Sequence, residues 1–328
     1  METTISTDRT TKNQGVNAEV ESKRYCLFAL DVETTSIWHN CLRDSTGKRV
    51  ADEAVPRILE MFAEKEIETT FFVTGYFARL FPECVKKISE RGHEIGSHSL
   101  YHDKHHGHDV TDLKTQINHL STSKQILEDI TGQEVISFRA PALRVNEFTG
   151  IALAETGFKI DSSIASQRFD MFLSFGAFKK LKWMFAPRLP YRTAAESLFR
   201  KGNGPITEIP LSALFAPYLG TTMRIFPGFT QFQHHLVHLE NKLNGKPVVF
   251  DFHPNEIVDE RDEPRKIANR SSNAVAYFLQ DFLRAKLKQR NLGDSAFHLY
   301  EREINYFLGK GYNFTSLKNF CKEKGFIN

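Results

Sequence analysis

A chain of 328 residues is long enough for one large α/β domain or two smaller ones. Its hydrophobic content of 41% and charged content of 25% are typical of a globular protein, and its 28 phenylalanines can supply an aromatic-rich core. The formal net charge of +3 is too small to indicate a nucleic-acid partner, and the sequence has no motif of a nucleic-acid-binding protein.

The cysteines and the polar start of the chain bear on its location. The four cysteines form no CxxC pair, which predicts free thiols in a reducing compartment. Residues 1–23 are polar and lack the apolar centre of a signal peptide, and no apolar run approaches the roughly 20 residues that span a bilayer. We therefore expect a cytoplasmic protein with a loosely attached tail over residues 1–23.

Strand-like and helical segments alternate along the chain. The apolar run Tyr25–Leu30 predicts a buried strand that ends at Asp31-Val32-Glu33. Further strands are predicted over residues 67–73, 93–97, 135–138, 158–160, 206–211, 247–252 and 312–314. Helices are predicted over residues 55–62, 76–90, 109–131, 147–156, 275–287, 297–308 and 315–324.

This alternation predicts an α/β fold with a largely parallel sheet. About seven or eight such units in one chain favour a (β/α) barrel over two separate domains. Residues 24–328 are accordingly expected to form a single catalytic domain, with an irregular insertion at about 166–204 over the face that carries the site.

Polar side chains suited to catalysis follow the predicted strands. In (β/α) barrels the catalytic groups lie at the C-terminal ends of the strands, so residues far apart in the sequence meet at one rim. The residues in this position are Asp31, Glu33, His98, His102, Arg139, Asp161 and His253.

His98 and His102 lie four residues apart where a predicted strand ends. At this spacing two imidazoles can share one metal ion. A hydrolytic centre also needs a carboxylate, which Asp31 or Glu33 would supply from another strand end. Residues two apart on a strand point the same way, so one carboxylate can bind the metal while the other acts as general base. The alternative, a chance pair on a helix surface, is weakened by the position at a strand end.

Other histidines are weaker candidates for a site. His105, His106 and His108 lie in a polar segment with no strand to hold it, which predicts a solvated surface loop. His234 and His238 lie on a predicted helix with no carboxylate on a nearby strand end, which predicts a helix surface.

Five stretches in the same order resemble the motifs of a known family. They are Asp31-Val32-Glu33, His98 to His102, Arg139-Ala140-Pro141, Asp161-Ser162-Ser163 and Phe252-His253-Pro254. Together they resemble the polysaccharide deacetylases, also called the NodB-homology or carbohydrate esterase family 4 group. The resemblance runs from about Tyr25 to Pro254 and departs from the commoner adjacent aspartates in its first motif. It implies a distorted (β/α)7-8 barrel.

The resemblance also implies roles for these residues. Glu33, His98 and His102 would bind the metal, which leaves Asp31 as the general base. Zinc is the expected metal, and cobalt, nickel or manganese would also fit two histidines and one carboxylate.

The remaining roles concern the base, the oxyanion and the leaving group. Arg139 would orient Asp31, and the backbone N–H of Ala142 would stabilise the oxyanion. His253, oriented by Asp161, would protonate the leaving amine.

The expected function is metal-dependent amide hydrolysis, as N-deacetylation of an amino sugar on a nucleotide or lipid carrier during surface-glycan assembly inside the cell. Three alternatives remain open. They are a deformylase of a lipid-linked amino sugar, an allantoinase-like amide hydrolase and a non-catalytic sugar-binding module.

Residues 175–191 interleave basic and aromatic side chains, among them Trp183 and Phe185. This pattern is typical of a membrane interface and predicts peripheral contact with the inner face of the membrane. A lid over the substrate or an ordinary packed helix is the alternative interpretation. An oligomer is also left open, with the N-terminal tail and the predicted helix over 297–308 as contact surfaces.

Overall fold

The computed structural model describes residues 23–103, 105–166, 183, 185–214, 216–264 and 284–327. The strands are β1 (Tyr25–Val32), β2 (Thr35–Ser36), β3 (Cys41–Leu42), β4 (Thr70–Val73), β5 (Glu94–Ser97), β6 (Ser137–Phe138), β7 (Ile160–Asp161), β8 (Tyr191–Ala194), β9 (Ser197–Lys201), β10 (Thr207–Glu208), β11 (Ala213–Leu214), β12 (Ala216–Pro217), β13 (Val248–Phe252) and β14 (Asn313–Phe314). The helices are α1 (Asp44–Arg49), α2 (Val55–Glu64), α3 (Gly75–Leu80), α4 (Pro82–Glu90), α5 (Leu113–Thr131), α6 (Thr149–Glu155), α7 (Gly220–Ile225), α8 (Pro227–Asn244), α9 (Arg284–Lys288), α10 (Asp294–Leu308) and α11 (Leu317–Glu323).

β1 lies in the middle of the main sheet and is buried along its whole length. It pairs in parallel with β13 on one side and with β4 on the other, and its first two residues also pair with β14. A strand that is buried on both faces needs apolar side chains on both, which explains the uninterrupted apolar run from Tyr25 to Leu30. Its C-terminal end brings Asp31 to the rim.

The parallel strands follow one another in the order β13-β1-β4-β5-β6-β7-β10. β8 runs antiparallel to β10 and β9 runs antiparallel to β8, so these two strands extend the sheet beyond β10. The described part of the chain thus has an α/β fold of the (β/α)-barrel type, which confirms the predicted fold class.

The barrel is distorted, because strand pairing does not close it between β10 and β13 in the described residues. The segment that follows β10 bridges this gap. The N–H of Ile209 donates to the carbonyl of Asp161 at 2.8 Å, and the N–H of Ser212 donates to the carbonyl of Val249 at 3.0 Å. The Ser212 hydroxyl also accepts from the N–H of Val249 at 3.0 Å. A few hydrogen bonds therefore replace a full strand at this seam.

Two helix boundaries differ from the predicted ones. The helix predicted over residues 76–90 is two helices, α3 and α4, because Pro82 cannot donate the hydrogen bond that would continue α3 and instead begins α4. The helix predicted over 109–131 begins only at Leu113, where the Asp112 carboxylate accepts from the N–H of Thr115 at 2.8 Å. It ends at Gly132 as predicted, with a φ of 66°.

Several predicted features lie mostly outside the described residues. These are the tail over 1–23, much of the insertion over 166–204 and most of the helix over 275–287. Within the segment 175–191, Trp183 is buried, so its side chain packs inside the protein instead of facing a membrane. Phe185 is 86% exposed. Among the helices that the structure describes, none is long and apolar enough to cross a bilayer.

Candidate active site

The end of β1 carries two buried carboxylates to the rim of the barrel. Asp31 is 3% exposed and Glu33 is 4% exposed. The alternation of a strand turns side chains two residues apart to the same side, as the sequence predicted. Their surroundings differ, however: Asp31 faces the guanidinium of Arg139, whereas Glu33 faces the imidazole of His102.

His98 follows β5 and is fully buried. Its Nδ1 lies 2.9 Å from the carbonyl oxygen of Arg139. Because a carbonyl only accepts, this contact assigns the proton to Nδ1 and leaves a lone pair on Nε2. Burial, and then the neighbouring His102, lowers the pKa of His98 well below its ordinary value. The ring is therefore neutral, which is the form that binds metal.

Glu33, His98 and His102 form a group that we call the rim triad. Each offers one ligand atom, and these atoms all lie within 4.8 Å of one another. The Nε2 of His102 is 3.1 Å from the Oε2 of Glu33, and the two rings are stacked with their centroids 5.5 Å apart.

Two ligand atoms of the rim triad lack a hydrogen-bond partner. They are the buried Nε2 of His98 and the buried Oε2 of Glu33, whose 3.1 Å contact with His102 lacks the geometry of a hydrogen bond. Leaving such atoms unpaired costs free energy, so a buried unpaired acceptor indicates a missing ligand. Two imidazole nitrogens and one carboxylate oxygen with room for water are also the donor set of a catalytic zinc site. The residues present therefore fit a divalent metal.

Arg139 follows β6 and is fully buried. One Nη1 donates both to Asp31 and to Asp251, each at 3.0 Å. The Nε donates to the carbonyl of Ser162 at 3.0 Å, and the guanidinium lies 4.5 Å from the ring centroid of Phe72. These contacts hold the guanidinium in one orientation, and through it the Oδ1 of Asp31 is bound to the end of β6.

His253 follows β13 and faces the same carboxylates. Its Nε2 is 3.9 Å from an Asp31 oxygen, and Asp31, Asp251 and His253 offer ligand-type atoms within 4.8 Å of one another. Burial opposes the charged form of His253, but the carboxylates of Asp251 and Asp31 outweigh it and raise the pKa to about 9. A protonated imidazole beside Asp31 suits a general acid.

The structure corrects the role predicted for Asp161. In the described part of the chain its Oδ1 accepts from the Ser163 hydroxyl at 2.5 Å, and its carboxyl group adjoins that of Glu208. The Ser163 hydroxyl in turn accepts from the N–H of Ala140 at 2.9 Å. Asp161 thus supports the segment that carries Arg139, and the carboxylates that act on His253 are Asp251 and Asp31.

Asp161 and Glu208 form a buried carboxyl pair. Burial raises the pKa of Asp161 and, together with the charge of Asp161, raises that of Glu208 well above its ordinary value. Both shifts favour a proton held between the two groups, which lowers the cost of two adjacent buried charges. Glu208 was not identified from the sequence, because its partner belongs to the neighbouring strand and the register was not known.

Ala142 lies in the turn Pro141–Leu143 directly after the Arg139 motif. It has a φ of 51° and is followed by Leu143 with a φ of 54°. Two consecutive left-handed residues with side chains are costly, and such strain concentrates at functional sites. The Ala142 side chain is exposed at the rim. Its role as oxyanion donor stays a prediction.

Two of the other histidines are buried, contrary to the prediction. His108 is fully buried between the Ser99 hydroxyl at 2.9 Å and the Gln116 carbonyl at 3.1 Å. His234 is buried with its Nδ1 2.9 Å from Glu303 on α10. For these two residues the prediction was wrong, because their partners come from other elements, which local polarity does not reveal.

A second histidine–carboxylate group lies at the β2–β3 hairpin, and we call it the hairpin cluster. It consists of His39, Glu260 and Glu263. Arg43 is bound within it, 2.7 Å from Glu263 and 3.5 Å from Glu260. The Thr46 hydroxyl also donates to Glu260 at 2.5 Å. All the buried acceptors of this cluster have partners, so it is an ion-pair network that ties the hairpin to the segment after β13.

Asn255 is a further residue of the site that the sequence analysis missed. It is 4% exposed, and its Nδ2 donates to the carbonyl of Thr35 at 2.8 Å and makes a longer contact of 3.5 Å with the Oε1 of Glu33. It therefore restrains Glu33 from the side opposite His102. No pattern in the sequence signals this contact, whereas Asp251, two residues before His253 on one strand, could have been found from the period of a strand.

Comparison with known proteins identifies a family that this chain resembles. Residues 44–160 match the family model described as polysaccharide deacetylase. A peptidoglycan deacetylase of Helicobacter pylori is 28% identical over 125 residues, which are 38% of this chain and 42% of that protein. A peptidoglycan-N-acetylglucosamine deacetylase of Bacillus cereus is 28% identical over 104 residues, which are 32% of this chain and 47% of that protein. The chain spans less than half the length of these curated relatives.

Solved structures share the fold over most of the chain. One described as a polysaccharide deacetylase of Mycobacterium smegmatis superposes with a TM-score of 0.57 and 17% identity, over 92% of this chain and 91% of that one. PuuE allantoinase superposes with a TM-score of 0.58 and 16% identity, over 97% of each chain. The resemblance inferred from the five motifs is thus confirmed, because residues 44–160 match the polysaccharide deacetylase model and the curated relatives carry deacetylase names.

Proposed function

We propose that the chain is a metal-dependent amide hydrolase that removes the acetyl group from an N-acetylated amino sugar. The observation that carries this proposal is the rim triad with its unpaired buried ligand atoms, set beside Asp31 and His253. The relatives named as peptidoglycan deacetylases, and a chitooligosaccharide deacetylase of Sinorhizobium fredii that is 34% identical over 47 residues, 14% of this chain and 22% of that protein, support an amino sugar as substrate.

Glu33, His98 and His102 would hold the metal, and zinc suits this donor set. Bound there, a divalent metal supplies Lewis-acid polarisation of the amide carbonyl and lowers the pKa of water. The protein contributes a neutral His98, whose lone pair faces the site, and a Glu33 carboxylate that Asn255 restrains.

Asp31 is placed to remove a proton from the attacking water. Its Oδ1 is fixed by Arg139 at 3.0 Å, which leaves Oδ2 toward the site, 3.6 Å from the Nε2 of His98. A base held in this way loses little entropy when the reaction begins.

His253 is placed to protonate the departing nitrogen. An amide nitrogen leaves poorly as an anion, so proton delivery in the transition state contributes a large part of the rate. The raised pKa of about 9 keeps His253 protonated at neutral pH. The products would be the free amino sugar and acetate.

The finer assignment is an amino sugar carried on a nucleotide or a lipid during surface-glycan assembly. The exposed Phe185 is one of the described side chains of the segment 175–191 that would meet a lipid carrier.

The test is acetate release by purified protein that has been stripped of metal and reloaded with zinc, cobalt, nickel or manganese. The substrates are N-acetyl chito-oligosaccharides, peptidoglycan fragments and a nucleotide-linked N-acetylglucosamine, with allantoin as the non-sugar amide. Acetate release that depends on metal and is absent in Glu33→Ala is the expected result. Hydrolysis of allantoin alone, or no hydrolysis with any metal, would overturn the proposal.

A further inference from the structure

Asp251 is a buried carboxylate to which the family motifs assign no role. It is 3% exposed and lies on β13, two residues before His253. The parallel register with β1 sets Asp251 beside Ala29 and Phe252 beside Leu30. Because side chains two residues apart share a face, Asp251 and His253 point to the same side, where Asp31 also lies.

Asp251 lies close to both the proposed general base, Asp31, and the proposed general acid, His253. Its Oδ1 accepts from the same Arg139 nitrogen that binds Asp31, at 3.0 Å in each case. Its carboxylate also lies within 4.8 Å of the ligand-type atoms of Asp31 and His253. Burial and the charge of Asp31 raise the pKa of Asp251 to about 6, so one guanidinium does not fully offset the two carboxylates and a second cation beside them is favourable. Among the described residues of this group, His253 is the side chain that can supply it.

The alternative partner for His253 is Asp161, but the contacts of Asp161 are with other residues. Asp161 accepts from Ser163 at 2.5 Å and pairs with Glu208. Asp251, by contrast, is the first carboxylate among the charges that favour the protonated form of His253, followed by Asp31 and Glu256. The orienting carboxylate therefore lies on β13, the strand that His253 follows.

We propose that Asp251 is the positioning residue of the general acid: it holds His253 protonated and directed at the leaving nitrogen. This inference rests on the proposed function. In the reaction, His253 gives its proton to the nitrogen as the C–N bond breaks and the bonding electrons move to that nitrogen. Water contributes its hydroxyl to the acyl carbon and its proton to Asp31, 3.9 Å from His253. Transfer of that proton from Asp31 to His253 restores both groups.

The test compares two acetyl compounds that differ in the leaving group, 4-nitroacetanilide and 4-nitrophenyl acetate. The anilide nitrogen needs a proton to leave, whereas 4-nitrophenolate does not. In zinc-loaded protein, Asp251→Asn keeps an oxygen that can accept from Arg139 and removes the charge. Since general acid catalysis contributes about 100-fold or more, kcat for the anilide should fall about 100-fold and KM should stay unchanged. Ester hydrolysis should fall by no more than about threefold, because it needs no general acid.

Four further variants make the comparison decisive. His253→Gln should show the same selective loss on the anilide, and the double variant should lose no more than His253→Gln alone, because the two residues act as a unit. Asp161→Asn is the matched control, the same substitution at an equally buried carboxyl group, and should reduce both rates by the same factor. Asp251→Glu keeps the charge and should recover part of the anilide rate. Zinc content and the unfolding temperature of each variant report whether it folds.

The results separate this inference from the proposed function. Equal losses on both compounds for Asp251→Asn, or additive losses in the double variant, would overturn the role of Asp251. A wild-type protein that cleaves the anilide but no N-acetyl sugar would overturn the sugar assignment and leave the Asp251 result standing. A wild-type protein that cleaves the ester and no amide would overturn both.

Discussion

The rim triad and the hairpin cluster contain the same kinds of side chain, yet only one of them fits a metal. Both combine histidine with glutamate at similar spacing. In the hairpin cluster Arg43 supplies the positive charge, and hydroxyl groups donate to Glu260. In the rim triad the Nε2 of His98 and the Oε2 of Glu33 are buried without a partner. A metal site is therefore recognised by what its donors lack as much as by the donors themselves.

The largest expected effect is that of Glu33→Ala on the rim triad. It removes the only carboxylate of the three ligands, so the protein should lose its zinc and about 1000-fold or more of its amide hydrolysis. Metal content by mass spectrometry and acetate release measure the two losses. A Glu33→Ala protein that keeps one equivalent of zinc would show that Asp31 is the ligand and that the two roles are reversed.

Asp31→Asn should separate catalysis from metal binding. Loss of the general base should lower kcat by about 100-fold to 1000-fold, whereas zinc content should stay at the wild-type value because the triad is intact. Titration with a metal chelator and steady-state kinetics on the same preparation give both values. Zinc lost in parallel with activity would contradict this separation.

Asn255→Ala tests the support of Glu33. Residues that orient a metal ligand typically contribute 10-fold to 100-fold in affinity, so zinc should bind about 10-fold more weakly. Because the contact with Glu33 is long, at 3.5 Å, we expect a loss of zinc affinity at the lower end of that range. Competition with a chromophoric chelator measures the change, and an unaltered affinity would show that Asn255 holds only the backbone of Thr35.

The smallest expected effect is that of His39→Ala in the hairpin cluster. His39 contacts Glu263 at 3.0 Å at a partly exposed position, so its removal should change the free energy of unfolding by less than about 1 kcal/mol. Zinc stoichiometry and deacetylation should equal those of the wild type. A lower zinc content in His39→Ala would break the comparison, because it would show that the hairpin cluster binds metal as well.

Much of the barrel and the rim could be predicted from the sequence because they follow from local patterns. The apolar run before Asp31 and the strand before His98 indicated where strands end, and barrel geometry then brought these ends together. The role of Asp251 and the pairing of Asp161 with Glu208 depend on the register between strands that are distant in the sequence. The division of the predicted helix at Pro82, by contrast, has a local cause, the missing N–H of proline, and could have been predicted from the sequence.

Arg139 serves the site in two ways, through different parts of one residue. Its carbonyl oxygen lies 2.9 Å from the Nδ1 of His98, while its guanidinium binds Asp31 at 3.0 Å. The imidazole of His98 and the carboxylate of Asp31 are thus both hydrogen-bonded to the residue that follows β6, although His98 follows β5 and Asp31 lies on β1. A small shift of this strand end would move both groups in the same direction and would change the distance between them little. Movement where the strand pairing is incomplete, between β10 and β13, would therefore leave the geometry of the site unchanged.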